Sequence, residues 1–287
     1  MENIIDTPLK EEYFKKIEVN GFNFNVYDEG DEDQPVILMI HGQPGFSEEY
    51  RLNVPAFRKA GYRTVVPDLL GAGESDRPEG IEHYTGAKDY EHVLGIMDAL
   101  NIEKFNIIGG DRGSLPAWFI AAFNPERVEK LISENLNHLN GFFSQGIAQS
   151  KLSWYMLFTQ FEIAEEAFKA DNWAMFKAWM EYHPDVNHWI ENFERPNGFK
   201  GAVLNWYRAN ANPDNTEQAE PLPNVKVPVM IIYSNNDAYL DREQLALGSQ
   251  YLDGSIKYKR IEGSGHFIAR NAPEEYNKAV IEFFKKV

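Results

Sequence analysis

The chain has 287 residues, 43% of them hydrophobic, which suits one large packed core with an accessory segment. Its 44 Asp and Glu against 28 Lys and Arg give a formal charge of -16, which argues against nucleic acid or an anionic membrane surface as partner. There is no cysteine, so disulfides, thiolate metal sites and a thiol nucleophile are excluded.

The opening Met1-Glu-Asn-Ile-Ile-Asp is neither basic nor followed by an apolar stretch. No signal peptide is expected, no run is apolar enough to span a bilayer, and the cytoplasm is the default compartment. Residues 16–20 and 22–27 alternate apolar and polar side chains about Gly21, which predicts an antiparallel hairpin. Residues 35–40 are continuously apolar, the pattern of a strand buried on both faces of a parallel sheet, and end at His41-Gly-Gln-Pro-Gly45. Residues 51–59 predict a short helix with Pro55 in its first turn, and 62–66 the next strand. That strand runs into a loop dense in turn residues, 67–78. An amphipathic helix over 87–100, a strand over 105–108, a helical segment over 117–122 and a strand over 128–133 follow.

From 136 to 221 the pattern changes to aromatic helical segments at 152–168, 173–182 and 199–208, punctuated by Pro184, Pro196 and Pro213. This reads as a helical cap inserted over the sheet, with a second independent domain as the alternative. Strands at 227–233 and 255–261 then alternate with helices at 241–248 and 274–285. The expected organisation is an α/β core over 1–135 and 222–287 with a cap over 136–221. The core sheet is doubly wound and mostly parallel. Ligands sit beyond the carboxyl ends of such strands, which gathers the 41–45 turn, the 68–75 loop and Asp111 into one site.

The centre of that site is Gly109-Gly-Asp-Arg-Gly113, between a strand and a helix. Glycines two before and two after Asp111 permit the sharp turn of a nucleophile elbow, with Asp where an esterase has Ser. A carboxylate is ionised at neutral pH and attacks carbon without a base; the resulting ester must be cleaved by activated water. A Gly-rich loop with a capping Asp, or a phosphate loop, is the alternative, although G-x-G-x-x-G and Gly-Lys-Ser/Thr are both missing. His266, in Gly263-Ser-Gly-His266, and Asp237, after the preceding strand, supply a water-activating pair in the chain order nucleophile, acid, His. Glu134 and Asp241 are rival acids; Asp241 reads as a helix cap, and Asn135, next after Glu134, cannot carry the charge. Ser114 has no base beside it. The backbone N–H groups of Gln43 and Arg112 are candidates for an oxyanion hole. Histidines are scattered without ligand spacing, so neither metal nor cofactor is implied.

On His41-Gly-Gln-Pro44, Gly109-Gly-Asp-Arg-Gly113, Asp237 and Gly265-His266, the chain resembles the α/β-hydrolase superfamily. Ser153-Trp-Tyr155 and Leu204-Asn-Trp-Tyr-Arg208 carry the resemblance on to the soluble epoxide hydrolases. The resemblance implies an α/β-hydrolase fold and opening of a small-molecule epoxide to a vicinal diol through an Asp111 ester. It further implies Tyr155 and Tyr207 as proton donors to the epoxide oxygen; a monomer or homodimer is expected. His41, Pro44, Arg112, Trp154, Trp206 and Phe267 are the pocket residues it suggests. Gly110, Arg112 and Gln43 depart from the family pattern and make the expected pocket more polar. Asp-Arg-Gly at the elbow also looks like fluoroacetate dehalogenases, in which arginine holds a substrate carboxylate. Leu115 stands where those enzymes have a further arginine, and Trp154-Tyr155 where they have His-Trp. A non-catalytic binding protein of the same fold has no need of Asp111, His266 and Asp237 together.

Overall fold

The structure, a computed structural model, describes residues 6–144, 146–212 and 221–285. Residues 1–5, Pro213 and the rest of 213–220 in the expected cap lie outside the described residues. In chain order the strands are β1 (Phe14–Val19), β2 (Phe22–Glu29), β3 (Val36–Ile40), β4 (Arg63–Pro67), β5 (Phe105–Gly110), β6 (Val128–Glu134), β7 (Val229–Tyr233) and β8 (Ile256–Arg260). They form one sheet in the order β1-β2-β4-β3-β5-β6-β7-β8. β2 pairs antiparallel with β1 and with β4, and every other pair is parallel. The β1–β2 hairpin closes through Asn20 and Gly21, both at positive φ (52° and 83°), the two-residue turn whose twist matches the flanking strands.

The continuously apolar strands β3, β4 and β5 are buried end to end. Their side chains alternate between two cores, as the two-residue period of a strand requires. Leu38, Ile40, Ile107, Leu131 and Ile231 face one core, with α2 (Gly86–Ala99) and α3 (Ser114–Phe123). Ile37, Met39, Ile108, Ile132 and Ile232 face the other, with α1 (Val54–Lys59) and the C-terminal helix Pro273–Phe284. Pro55 lies in the first turn of α1, where its missing N–H costs nothing. Thr85 caps α2 by accepting from the Lys88 N–H at 3.2 Å.

Between β6 and β7 lies a helical insertion: α4 (Leu139–Phe143), α5 (Ile147–Leu152), α6 (Trp154–Phe158), α7 (Ala164–Trp179), α8 (Val186–Phe193), a wide π-helical turn at Lys200–Asn205, and α9 (Trp206–Asn210). It is more broken than the sequence suggests. The expected helix over 152–168 is interrupted between α6 and α7. Inside α7, Ala170 is extended and Asp171, Asn172 and Trp173 are left-handed, at φ 49°, 55° and 62°. No glycine or proline marks that break. Trp173 instead packs its ring 5.2 Å from Phe199 and 5.7 Å from Phe176, so tertiary packing overrides local propensity. The remaining helices are α10 (Glu243–Ser249), α11 (Ile268–Asn271) and α12, the C-terminal helix already described. Asp241 accepts from the Glu243 N–H at 2.8 Å at the start of α10.

The insertion is tied down along its length. Asp185, just before α8, takes ion pairs from Arg51 at 2.8 Å and Arg270 at 3.0 Å. Asn210 accepts from the Gly86 N–H at 2.7 Å and donates to the Tyr84 carbonyl at 2.8 Å. Among the described residues no helix is long and apolar enough to cross a membrane.

Candidate active site

β5 ends at Gly110, and Asp111 begins the turn into α3 at φ 46°, a left-handed conformation that aspartate adopts at a cost. A Cβ on Gly109 would sit 2.6 Å from the Gly113 carbonyl and 2.7 Å from the Ala117 Cβ, so the helix start closes on the strand only with glycine there. The turn directs the Asp111 carboxylate across to Gln43. Its Oδ1 accepts from the backbone N–H of Gln43 at 2.8 Å and of Arg112 at 2.6 Å. Its Oδ2 lies 3.5 Å from His266 Nε2. Gly42 lets the two segments meet, since a Cβ there would sit 2.7 Å from the Asp111 Cβ.

His266 hangs from the loop after β8, with its Nδ1 2.8 Å from Asp237 Oδ2. Asp237, at the end of β7, is held through Oδ1 by the N–H groups of Tyr239 at 2.7 Å and Leu240 at 3.1 Å. Burial pushes the His266 imidazole down, but the Asp237 charge and hydrogen bonds to Asp111 and Asp237 outweigh it and hold the ring protonated well above its usual range. Burial likewise pushes the Asp111 carboxyl up, and His266 with the two backbone N–H groups more than reverses it. Resting Asp111 is therefore an anion facing an imidazolium.

Tyr155 of α6 and Tyr207 of α9 stand across the site, buried, with ring centroids 5.4 Å apart and nearly perpendicular. Burial, then the Asp111 charge, pushes both phenols well above their usual range, so they stay protonated. Asp111, Tyr155 and Tyr207 line two cavities. One, of about 10 Å³, is closed in by Gln43, Pro44, Tyr239, His266 and Phe267 and has room for about one water. The other, of about 310 Å³, is mostly apolar and runs past Leu136, Phe142, Met156 and Trp206. Asp111, Tyr155 and Tyr207 are the lining residues the two cavities share.

Two of the expected pocket residues line neither cavity, and the polarity expected of the others is reduced. His41 is not part of either wall: its Nε2 accepts from the Leu69 N–H at 2.9 Å and its Nδ1 faces the Gly42 carbonyl, fastening the 41–45 turn to the neighbouring loop. Burial pushes its pKa down to about 4, so it is neutral. Trp154 lines neither cavity; it is 41% exposed and packs edge-on against Trp179. Arg112 borders the larger cavity, but its charge is already neutralised. Its Nε and Nη2 make a bidentate pair with Asp89 at 2.8 and 2.7 Å, both side chains fully buried. Trp206 donates its indole N–H to the same carboxylate at 3.0 Å, and Arg112 Nη1 has no partner among the described residues. Gln43 spends its side-chain amide on the Ala202 carbonyl of the insertion. The elbow is thus less polar towards a ligand than its composition suggests.

Asp89→Ala is expected to leave this buried guanidinium unpaired and to cost about 3–5 kcal/mol of stability. The check is the urea midpoint at unchanged slope, and a shift of under about 1 kcal/mol would show that water or Nη1 contacts compensate.

Sequence reasoning missed several supports. Asn135, at φ 58°, donates to the His266 carbonyl at 2.8 Å and accepts from the Ser234 N–H at 3.0 Å, joining the two loops that carry the His–acid pair. Tyr239 sets its ring 4.7 Å from His266, edge to face. Glu134 takes no part in the pair with His266; its carboxylate accepts from the Tyr276 hydroxyl, and burial pushes it up to about 7. Asp89 sits in the first turn of α2, where an acid is ordinary, so nothing in the sequence singled it out.

Residues 35–272 match the family described as alpha/beta hydrolase fold. The AB hydrolase superfamily protein YfhM of Bacillus subtilis is 27% identical over 288 residues, covering 94% of this chain and 96% of that protein. Epoxide hydrolase 4 of Homo sapiens is 27% identical over 300 residues, covering 98% of this chain and 81% of that one. Among solved structures, an epoxide hydrolase from hot-environment metagenomes superposes with a TM-score of 0.83 at 24% identity, covering 96% of this chain and 99% of that one.

Proposed function

The chain belongs to the α/β-hydrolase fold family, and on that premise we propose that it is an epoxide hydrolase, converting an epoxide to a vicinal diol through an ester on Asp111. The observation that carries this reading is the division of labour on one carboxylate: Oδ1 is held by two backbone N–H groups while Oδ2 is left towards His266 and the cavity. Oδ2 attacks the less hindered ring carbon. The Tyr155 and Tyr207 hydroxyls donate to the ring oxygen as the C–O bond breaks, and the imidazolium of His266 is the site's store of that proton. With Asp111 now a neutral ester, His266 has lost one of its two anionic neighbours and acts as a base. It takes a proton from water, and hydroxide adds to the Asp111 carbonyl carbon. The oxyanion forms on Oδ1, where the Gln43 and Arg112 N–H groups already point. Collapse releases the second alkoxide, which takes the carboxyl proton, and returns Asp111 as the anion and His266 as the imidazolium.

The names of the human and metagenomic relatives support ring opening over the dehalogenase reading. So does the Arg112–Asp89 pair, because a guanidinium neutralised inside the protein has only its buried Nη1 left for a substrate carboxylate and brings no net charge to it. Neutral epoxides are therefore the expected substrates.

A single turnover in heavy-oxygen water tests the ester. Label is expected in the Asp111 carboxyl and not in the first diol, because the diol oxygen comes from Oδ2. Label in the first diol with none in the Asp111 peptide means direct attack by water and ends this reading.

A further inference from the structure

The described chain has ten large hydrophobic side chains that are exposed, and six of them fall in 143–163 of the insertion: Phe143, Ile147, Trp154, Leu157, Phe161 and Ile163, between 41% and 74% exposed. They are not scattered. Trp154, Phe158 and Phe161 form a ring chain at 6.0 and 6.4 Å, and Phe143 lies against Phe142 at 5.4 Å. Phe142, Phe143, Ser150, Ser153 and Met156 from the same helices wall the 310 Å³ cavity that reaches Asp111. The apolar face thus continues into the mouth of the site. The segment itself is sparse in charge: from Leu139 to Ile163 only Lys151 and Glu162 are ionised, and they cancel, in a chain with 25% charged residues and a net charge of -16, while Arg208 adds a cation beside it through the Thr159 and Phe161 carbonyls.

We propose that this face docks on an uncharged lipid surface and draws a lipophilic epoxide from it into the cavity. Clustered apolar side chains on short surface helices, with tryptophan among them, lie in the boundary layer of a bilayer without crossing it. Low charge on the face matches a surface of no net charge, while the acidic body is repelled by anionic headgroups. A second copy fits less well, because it brings another charge of -16 to the same contact. The choice of substrate rests on the epoxide hydrolase reading; the docking does not.

The test is flotation of the full chain with phosphatidylcholine vesicles, repeated with vesicles enriched in phosphatidylserine. Wild type is expected to float with the first and less with the second. Ile147→Ser, Leu157→Ser and Phe161→Ser together, none lining the cavities, are expected to weaken partitioning on the order of 100-fold. They should slow turnover of a long-chain epoxide dissolved in the vesicles and leave a short water-soluble epoxide unaffected. Ile147→Glu alone should move partitioning in the same direction. Wild type remaining with the soluble fraction overturns the proposal, as does vesicle binding that these variants leave unchanged. A concentration-dependent dimer that the triple variant abolishes assigns the face to a second copy and also overturns it. If the chain floats and the variants do not, but no epoxide is turned over, the docking stands and the substrate assignment falls.

Discussion

His266→Gln is expected to stop the reaction halfway, with one substrate molecule bound covalently to Asp111. The reasoning follows from what His266 touches. Its charge partner Asp237 and its distance of 3.5 Å from Asp111 Oδ2 suit it to the second half of the cycle, in which water must lose a proton beside the ester. The first half needs an anionic Asp111, which the N–H groups of Gln43 and Arg112 still favour although the larger support from His266 is gone, and a proton for the alkoxide, which the tyrosines then regain from solvent. Loss of a general base slows a step by roughly 10²- to 10⁴-fold, so ester cleavage becomes limiting and the adduct accumulates. Intact-mass measurement after mixing with excess epoxide should show the protein heavier by one substrate, and peptide mapping should place the gain on Asp111. Asp111→Asn should show neither adduct nor turnover. A His266→Gln protein that turns over slowly yet never accumulates an adduct would exclude this division of roles.

The parts of this site that are local in sequence were readable in advance, and the parts built from distant segments were not. The buried runs of β3 and β5, the glycines around Asp111 and the chain order Asp111, Asp237, His266 follow from short-range rules: a strand's apolar pattern, a tight turn's need for glycine, loops at strand ends. Those rules also led to the expectation of a helical insertion after β6, because the strand pattern stops there. They could not show that Arg112 would be neutralised by Asp89, 23 residues earlier, or that the Gln43 amide would be taken by the Ala202 carbonyl, 159 residues later. Each of these residue types looks, in one dimension, like a polar group available to a ligand. His41 and Trp154 failed for the same reason: a motif position names a residue, but its rotamer is decided by a partner elsewhere in the chain, Leu69 for one and Trp179 for the other. The left-handed turn inside α7 lies furthest from local rules: exposed Asp171 and Asn172 tolerate that conformation, but Trp173 holds it with its ring packed on Phe199.

Tyr155→Phe with Tyr207→Phe is expected to produce the opposite failure to His266→Gln: no adduct at all. Opening an epoxide leaves an alkoxide, a poor leaving group unless it is protonated or hydrogen-bonded as the bond breaks. Both phenols are buried in the walls that the two cavities share with Asp111, and burial and the Asp111 charge hold them protonated, ready to donate. Removing one donor aimed at a developing oxyanion costs roughly 10²- to 10³-fold, and the single variants should each fall in that range. The double variant should lose on the order of 10⁴-fold or more, since neither phenol remains to substitute for the other. Phenylalanine keeps the ring packing against Trp179 and Tyr239, so the unfolding midpoint should hold near wild type and separate loss of a donor from loss of the fold. The same variant discriminates between reactions. A halide leaves without a proton, so an alkyl halide small enough for the cavity would still alkylate Asp111 if the site were built for dehalogenation. An intact rate of Asp111 alkylation by epoxide in the double variant would remove the tyrosines from the chemistry and with them the case for ring opening by acid assistance.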